Sequence, residues 1–209
     1  MDLKCEIRVG HSPYGDVIPD AKFNQLAMEL VGYGAEIIED AYKVGNVAQD
    51  SFSLCVLDPT APLWKPSTDC VLITAAIGGK GRQYVRNAIA KAISTRDAGE
   101  EWGKVLYSQP HRIPGGAFRW GYAANVDSTI IGGSAQAEKD DQLVCTLVGA
   151  EFNSAVAEAF RQWSEDYPRQ GADDSSHDWF TDSGGAPDWL QYHDMSFFDG
   201  NVGVIRLNF

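Results

Sequence analysis

"TIIGGSAQAEKDDQLV", Thr129 to Val144, is the stretch whose reading decides the fold. An apolar run, two glycines with a serine, and then the opening of a helix have the outline of a phosphate loop. The acids that follow argue against one: Glu138, Asp140 and Asp141 stand in the first turns of the helix, where they complement its positive end and would repel a phosphate. Gly132-Gly133-Ser134 is therefore expected to be a tight strand-to-helix turn, with Ser134 as N-cap. Ahead of it, Phe118, Trp120 and Tyr122 alternate with Arg119, Gly121 and Ala123, which predicts a strand. Ser128 to Ile131 predicts another, joined to it as a hairpin across Asn125-Val126-Asp127. Behind it, residues 138–163 put Val144, Leu147, Val148, Ala155, Val156, Ala159, Phe160 and Trp163 on one stripe, the signature of a long amphipathic helix.

Working outward, the alternation of Leu3, Cys5, Ile7 and Val9 with Lys4, Glu6 and Arg8 predicts a half-buried first strand. From Pro19, the residues Phe23, Leu26, Ala27, Leu30, Val31, Ile37, Ile38 and Ala41 recur at helical spacing, weakened in the middle by Gly32 and Gly34 and ending near Gly45-Asn46. "SFSLCVLD" (Ser51 to Asp58) and "DCVLITAA" (Asp69 to Ala76) read as neighbouring strands on either side of a proline-bearing loop. Gly78-Gly79-Lys80-Gly81 then opens a second helix, with Val85, Ala88, Ile89, Ala92 and Ile93 on its inner face. The order β-α-β-β-α-β-β-α-β, with short turns between adjacent strands, predicts an α+β fold: a central antiparallel sheet of about five to six strands with three long helices. Residues 1–165 are expected to form one such domain. Residues 166–209 make an acidic, aromatic extension whose last run, "NVGVIRLNF" (Asn201 to Phe209), is expected to return to the sheet beside the first strand. No period of about 20 to 50 residues repeats.

A chain of 209 residues, 44% of them hydrophobic, buries one core of ordinary size. With 29 acidic against 17 basic residues, a net charge of −12, its field opposes nucleic acid and anionic lipid surfaces as partners. The start has no apolar signal region and no run of about 18 apolar residues suggests a membrane span, so a soluble cytoplasmic protein is expected. Cys5, Cys55, Cys70 and Cys145 are isolated, as suits small buried hydrophobes and no zinc cluster.

From Ala21 to about Phe160, a series of ordered motifs resembles the GlcG/HbpS-like haem-binding (haem-degrading) domain family. They are the long helix running into "SLCVLDPTAP" (Ser53 to Pro62), the glycine-led "GRQYVRNAIAKAIST" (Gly81 to Thr95), "PGGAF" (Pro114 to Phe118) and "IIGGSAQAEKDDQ" (Ile130 to Gln142). The resemblance implies a profilin-like fold and the binding of haem or a similar flat, anionic molecule. It departs from the family at Pro59-Thr60-Ala61, where a glycine turn is usual, and at "GGS", where the family has "VSG".

Three places carry candidate chemistry. "GGKGR", Gly78 to Arg82, is no Walker loop, since Thr74 and Gly81 stand where Gly and Ser/Thr are needed. Its Lys80 and Arg82 would nonetheless put positive charge at a helix N-terminus, a setting in which a carboxylate or phosphate is the natural guest, held also by the N–H groups of Gly78 and Gly79. Solvated charges on an exposed turn are the competing explanation. His111-Arg112 joins an imidazole to a carboxylate-binding guanidinium, beside a strand whose Trp120 and Tyr122 offer a flat aromatic wall or simply core. In the tail, His177-Asp178-Trp179 and Tyr192-His193-Asp194 match no metal-site spacing. Two functions follow. One is a binding domain, with Gly78, Gly79, Lys80, Arg82, Arg112, Trp120 and Tyr122 around haem or another anionic ligand. The other is a proton-transfer enzyme acting on a small carboxylated or polycyclic metabolite, with His111 or Asp127 as base and Arg119 or Arg112 as anchor. The additional terminal strands would suit a homo-oligomer.

Overall fold

The computed structural model describes residues 3–112 and 123–166. The chain divides into two compact units, Met1–Trp163 and Ser164–Phe209, and nearly all the described residues belong to the first. Its strands are β1 (Cys5–Val9), β2 (Phe52–Leu57), β3 (Val71–Ile77), β4 (Ala123–Val126) and β5 (Thr129–Ser134). They form one antiparallel sheet in the order β1-β3-β2-β5-β4. Helices α1 (Asp20–Lys43), α2 (Val85–Ala98), α3 (Trp102–Ser108) and α4 (Glu138–Asp166) complete the α+β architecture that the periodicity predicts.

Alternation along the central strand sorts the helices into layers. Leu54 and Val56 of β2 join Phe23, Leu30 and Ile38 of α1 and Val148 and Phe152 of α4 on one face. Cys55 and Leu57 point the other way, onto Ala88 and Ala92 of α2. Because β2 has a strand on each side and a helix layer on each face, all six of its residues are buried. Three of the four cysteines, Cys55, Cys70 and Cys145, are buried as expected, while Cys5 is exposed on the edge strand β1.

Gly132 and Gly133 explain how the layers come so close. A methyl group at Gly132 would run into the carbonyl of Ala88 in α2, and one at Gly133 would meet Cys145 Sγ of α4 and the Phe52 ring. The diglycine is thus a close-approach device, one residue for each face of the sheet.

Several details differ from the expectations. The β4–β5 hairpin turns on two residues, Asp127 and Ser128, with φ values of 47° and 73°, so Asn125 and Val126 belong to the strand rather than to the loop. Positive φ at both central positions matches the strand twist, and Asp accepts it more readily than most residues. Residues 118–122 and 201–209, with the strands expected there, lie outside the described residues.

Ser134 still pairs within the sheet, opposite Ser53, and so does not cap α4. The Ala137 carbonyl receives the N–H groups of Asp140 and Asp141, both at 2.9 Å, and Asp141 Oδ1 reaches back to accept from Gln136 N at 2.9 Å. The buried face of α4 runs through Val144, Cys145, Val148, Phe152 and Ala159, while Leu147, Phe160 and Trp163 of the expected stripe stay substantially exposed. Against the expectation of no spanning segment, α4 is by length and composition apolar enough to cross a bilayer; its inner face is committed to the sheet. Gly32 and Gly34 do not interrupt α1, which ends as expected, with Gly45 at φ 76° and Asn46 N donating to Ala41 O.

Candidate functional site

The "GGKGR" segment closes β3 and leads to α2, and most of its hydrogen-bonding groups are engaged by the protein itself. Gly78, at φ 74°, donates to Lys4 O at 2.8 Å, Lys80 N donates to Ser51 Oγ at 3.1 Å, and Gly81 N donates to Gly78 O at 3.3 Å. Ser53 Oγ donates to Gly81 O at 2.5 Å. A side chain at Gly78 would collide with the Asp50 carbonyl, so the left-handed turn is held by glycine alone. Gly81–Gln83 form one turn of 3-10 helix, and α2 begins only at Val85. Lys80 and Arg82 therefore precede the helix instead of standing in its first turn, and Arg82 Nε is 2.5 Å from Glu6 Oε2 on β1. A turn this tight must satisfy its own N–H groups, which leaves few for an anion.

His111 lies exposed in a single 3-10 turn, Pro110–Arg112, after α3. Asp127 sits exposed at the tip of the β4–β5 hairpin, where the turn geometry accounts for it. The two candidate bases thus stand on different connections. Arg119, Trp120 and Tyr122 lie outside the described residues, as does the side chain of Arg112. Of the expected binding set, the fold brings together Gly78, Gly79, Lys80 and Arg82, as one turn.

Toward the other end of β3 lies a feature the sequence reading passed over. On the α2 face, the helix covers β2 and β5 but stops short of β1, and the gap is a groove of about 420 Å³. Val71 and Thr74 of β3 form its floor, Ile89 and Ile93 of α2 its wall, and Arg8 and Thr68 its rim. Arg8 stands opposite Thr74 in the β1–β3 register, and Glu6, on the same face two residues back, is the partner of Arg82. Among the described residues Arg8 has no ion-pair partner. A guanidinium beside the Thr74 hydroxyl and an apolar wall suits an amphipathic anion, because only the charged end of such a ligand needs polar contacts, whereas the Thr68 hydroxyl donates to Asp69 at 3.3 Å. In the sequence Arg8 is merely the outward residue of an alternating strand, and no local signal separates it from Lys4.

A second cavity, about 440 Å³, opens where α1 ends, among Leu3, Glu39, Tyr42, Lys43, Val47 and Asp50. Lys43 is bound to Glu39 at 3.0 Å, and the remaining carboxylate, Asp50, disfavours an anion there.

Two charge pairs organise the surroundings. At the entry to α1, Asp20 accepts from Ser12 N at 2.7 Å and lies 2.9 Å from His11 Nδ1. The hydrogen bond that Asp20 accepts from the His11 ring raises the His11 pKa above its ordinary value and lowers that of Asp20. Deep in the molecule, Lys91 of α2 meets Asp141 of α4 at 2.6 Å, the two residues only 1% and 2% exposed. Burial pushes the Asp141 carboxyl up, against the pull of the Lys91 charge and of N–H donors at Gln136 and Ala135. The same burial drives the Cys55 thiol up to about 12, which makes it inert as a nucleophile. Among the described residues no cluster of three or more His, Cys, Asp or Glu side chains gathers to hold a metal. Set against family models, curated proteins and solved structures, the chain matches none of them.

Proposed function

We propose that the chain is a binding domain for a small anionic molecule with an apolar body, held in the groove between β1, β3 and α2 with its carboxylate on Arg8. The observation that carries this reading is the Arg8 guanidinium, without an ion-pair partner among the described residues, at the rim of a mostly apolar groove of about 420 Å³. Thr74 would share the carboxylate, while the Thr68 hydroxyl is engaged by Asp69 at 3.3 Å, and Val71, Ile89 and Ile93 would receive the apolar body. The resemblance to the GlcG/HbpS-like family agrees with a flat anionic ligand. Haem itself fits this groove poorly: the metal needs an axial His, Cys, Met or Tyr, and the lining holds none of these. The ligand class is therefore an aromatic or aliphatic carboxylic acid.

Naphthoate, whose own fluorescence reports burial, is the probe. It should bind wild-type protein saturably, and Arg8→Ala should weaken binding by about tenfold to a hundredfold, the worth of a charge-assisted hydrogen bond. Lys80→Ala, in the turn at the far end of β3, should change it little. Equal affinity in wild type and Arg8→Ala would remove the groove from consideration. A Soret shift on adding haemin, retained in Arg8→Ala, would return haem to a different part of the chain.

A further inference from the structure

Strand β1 ends the sheet: β3 bonds one of its sides, and among the described residues no strand bonds the other. Lys4 O accepts from Gly78 N at 2.8 Å and Gly10 N donates to Leu72 O at 2.7 Å, so the even-numbered residues from Lys4 to Gly10 spend their backbone groups on β3. By the alternation of an antiparallel ladder, the N–H and C=O groups of Cys5, Ile7 and Val9 point outward along the free edge. The side chains of Ile7 and Val9 lie half-buried against the core on the α1 face, while Glu6 and Arg8 stand exposed on the α2 face.

An edge of this kind accepts another strand, and the charges on β1 select which. We infer that the strand is β1 of a second copy, paired antiparallel about a two-fold axis that stands perpendicular to the sheet between the two Ile7 residues. Hydrogen bonding and charge agree on that register. Ile7 lies opposite Ile7 of the second copy and Cys5 opposite its Val9, so every outward N–H and C=O of β1 finds a partner, and each pair exchanges two bonds. On the other face the same register sets Glu6 against Arg8 of the second copy and Arg8 against its Glu6, while Lys4 falls opposite Gly10. A slip of two residues one way would oppose Glu6 to Glu6 and Lys4 to Arg8, and two residues the other way Arg8 to Arg8. A slip of one would set outward backbone groups against inward ones.

Strand addition draws its affinity from main-chain hydrogen bonds more than from area, so the dimer is weak and reversible, dissociating at about micromolar concentration or above. Each copy uses its β1 edge once, which closes the assembly at two. Glu6 then sits between Arg82 of its own chain, 2.5 Å away, and Arg8 of the second copy. A guanidinium has five N–H donors, enough for that carboxylate and for a ligand in the groove, and the inference stands whether or not the groove binds one. An extended segment of arbitrary sequence would meet the same backbone groups without the match to Glu6 and Arg8.

Light scattering on the full chain over a range of concentrations tests this. The wild type should dimerise as concentration rises, and Ile7→Pro, which removes an outward N–H that β3 does not use, should be a folded monomer. Glu6→Arg and Arg8→Glu each set like charges opposite one another at both ends of the seam, and each should weaken self-association by about tenfold or more. Mixed in equal amounts, these two variants should form a heterodimer, and the double variant Glu6→Arg with Arg8→Glu, in which the charges only change places, should dimerise as the wild type does. A wild type that is monomeric at every concentration, as it would be with another part of the chain on the edge, overturns the inference. So does a dimer indifferent to Ile7→Pro, or a pair of single variants that fail to associate on mixing. Naphthoate binding to Glu6→Arg, which keeps Arg8, reports on the groove separately from association.

Discussion

Gly132 and Gly32 are both glycines within regular structure, and they should answer an added methyl in opposite ways. At Gly132 the methyl meets the Ala88 carbonyl, so Gly132→Ala should destabilise by at least about 1–3 kcal/mol, the range for forcing atoms into a packed interface. At Gly32 nothing stands within 4 Å, so Gly32→Ala should stabilise α1 by roughly 0.5–1 kcal/mol through the lost chain entropy. Urea denaturation of the two variants measures both. His11 offers a second test at this scale. Its pKa is raised by the Asp20 carboxylate, so the bond's contribution is full below the ordinary value of 6.5 and is lost as pH rises through the raised one. For Asp20, whose pKa is lowered, the contribution holds above 3.8 and is lost as pH falls through the lowered value. An NMR titration should show His11 titrating above 6.5 in the wild type and falling back in Asp20→Asn; an unmoved curve would deny the pair in solution.

Among elements, α2 and α4 approach the sheet from opposite faces yet share the buried pair Lys91–Asp141. Removing one member leaves an uncompensated charge in the interior, so Lys91→Met should cost about 3–5 kcal/mol. Replacing both, in Lys91→Met with Asp141→Leu, should recover much of that loss, because no buried charge is left unpaired. If the double variant is no more stable than the single one, the pair is not acting as a unit. Periodicity revealed α4 but not this bond. Asp141 in the sequence is one of three acids near a helix start, equivalent to Glu138 and Asp140, and only the path of α2 over Gly132 brings a lysine to it. The α4 stripe shows the same limit. Its apolar residues outnumber those the sheet has room for, so Phe160 and Trp163, read as inward, remain partly outside.

For the whole molecule, local pattern was enough for the class of fold. Strand alternation, the helical stripes of α1 and α4, the glycine end of α1 and the strand character of β2 and β3 depend on residues close in sequence, whose preferences are written in spacing and turn chemistry. The candidate site was less legible. "GGKGR" stood out because glycines and cations lie together in the chain, but its hydrogen bonds are consumed by Lys4, Ser51 and Ser53, which are far from it in sequence. The groove was invisible for the complementary reason: Arg8, Thr68, Thr74 and Ile89 come from four separate elements, and it exists only because α2 stops short of β1. Likewise, the exposure of Leu63 and Trp64 is decided by the grip of Arg96 on their loop, since an apolar pair between prolines would otherwise read as a buried turn. Sequence alone determined which segments are strands and helices, because those choices rest on local dihedral preference and periodic burial. Which residues line the groove, which apolar pair stays in water and which glycines admit a helix were decided by tertiary structure, because each depends on what a distant segment brings within a few ångströms.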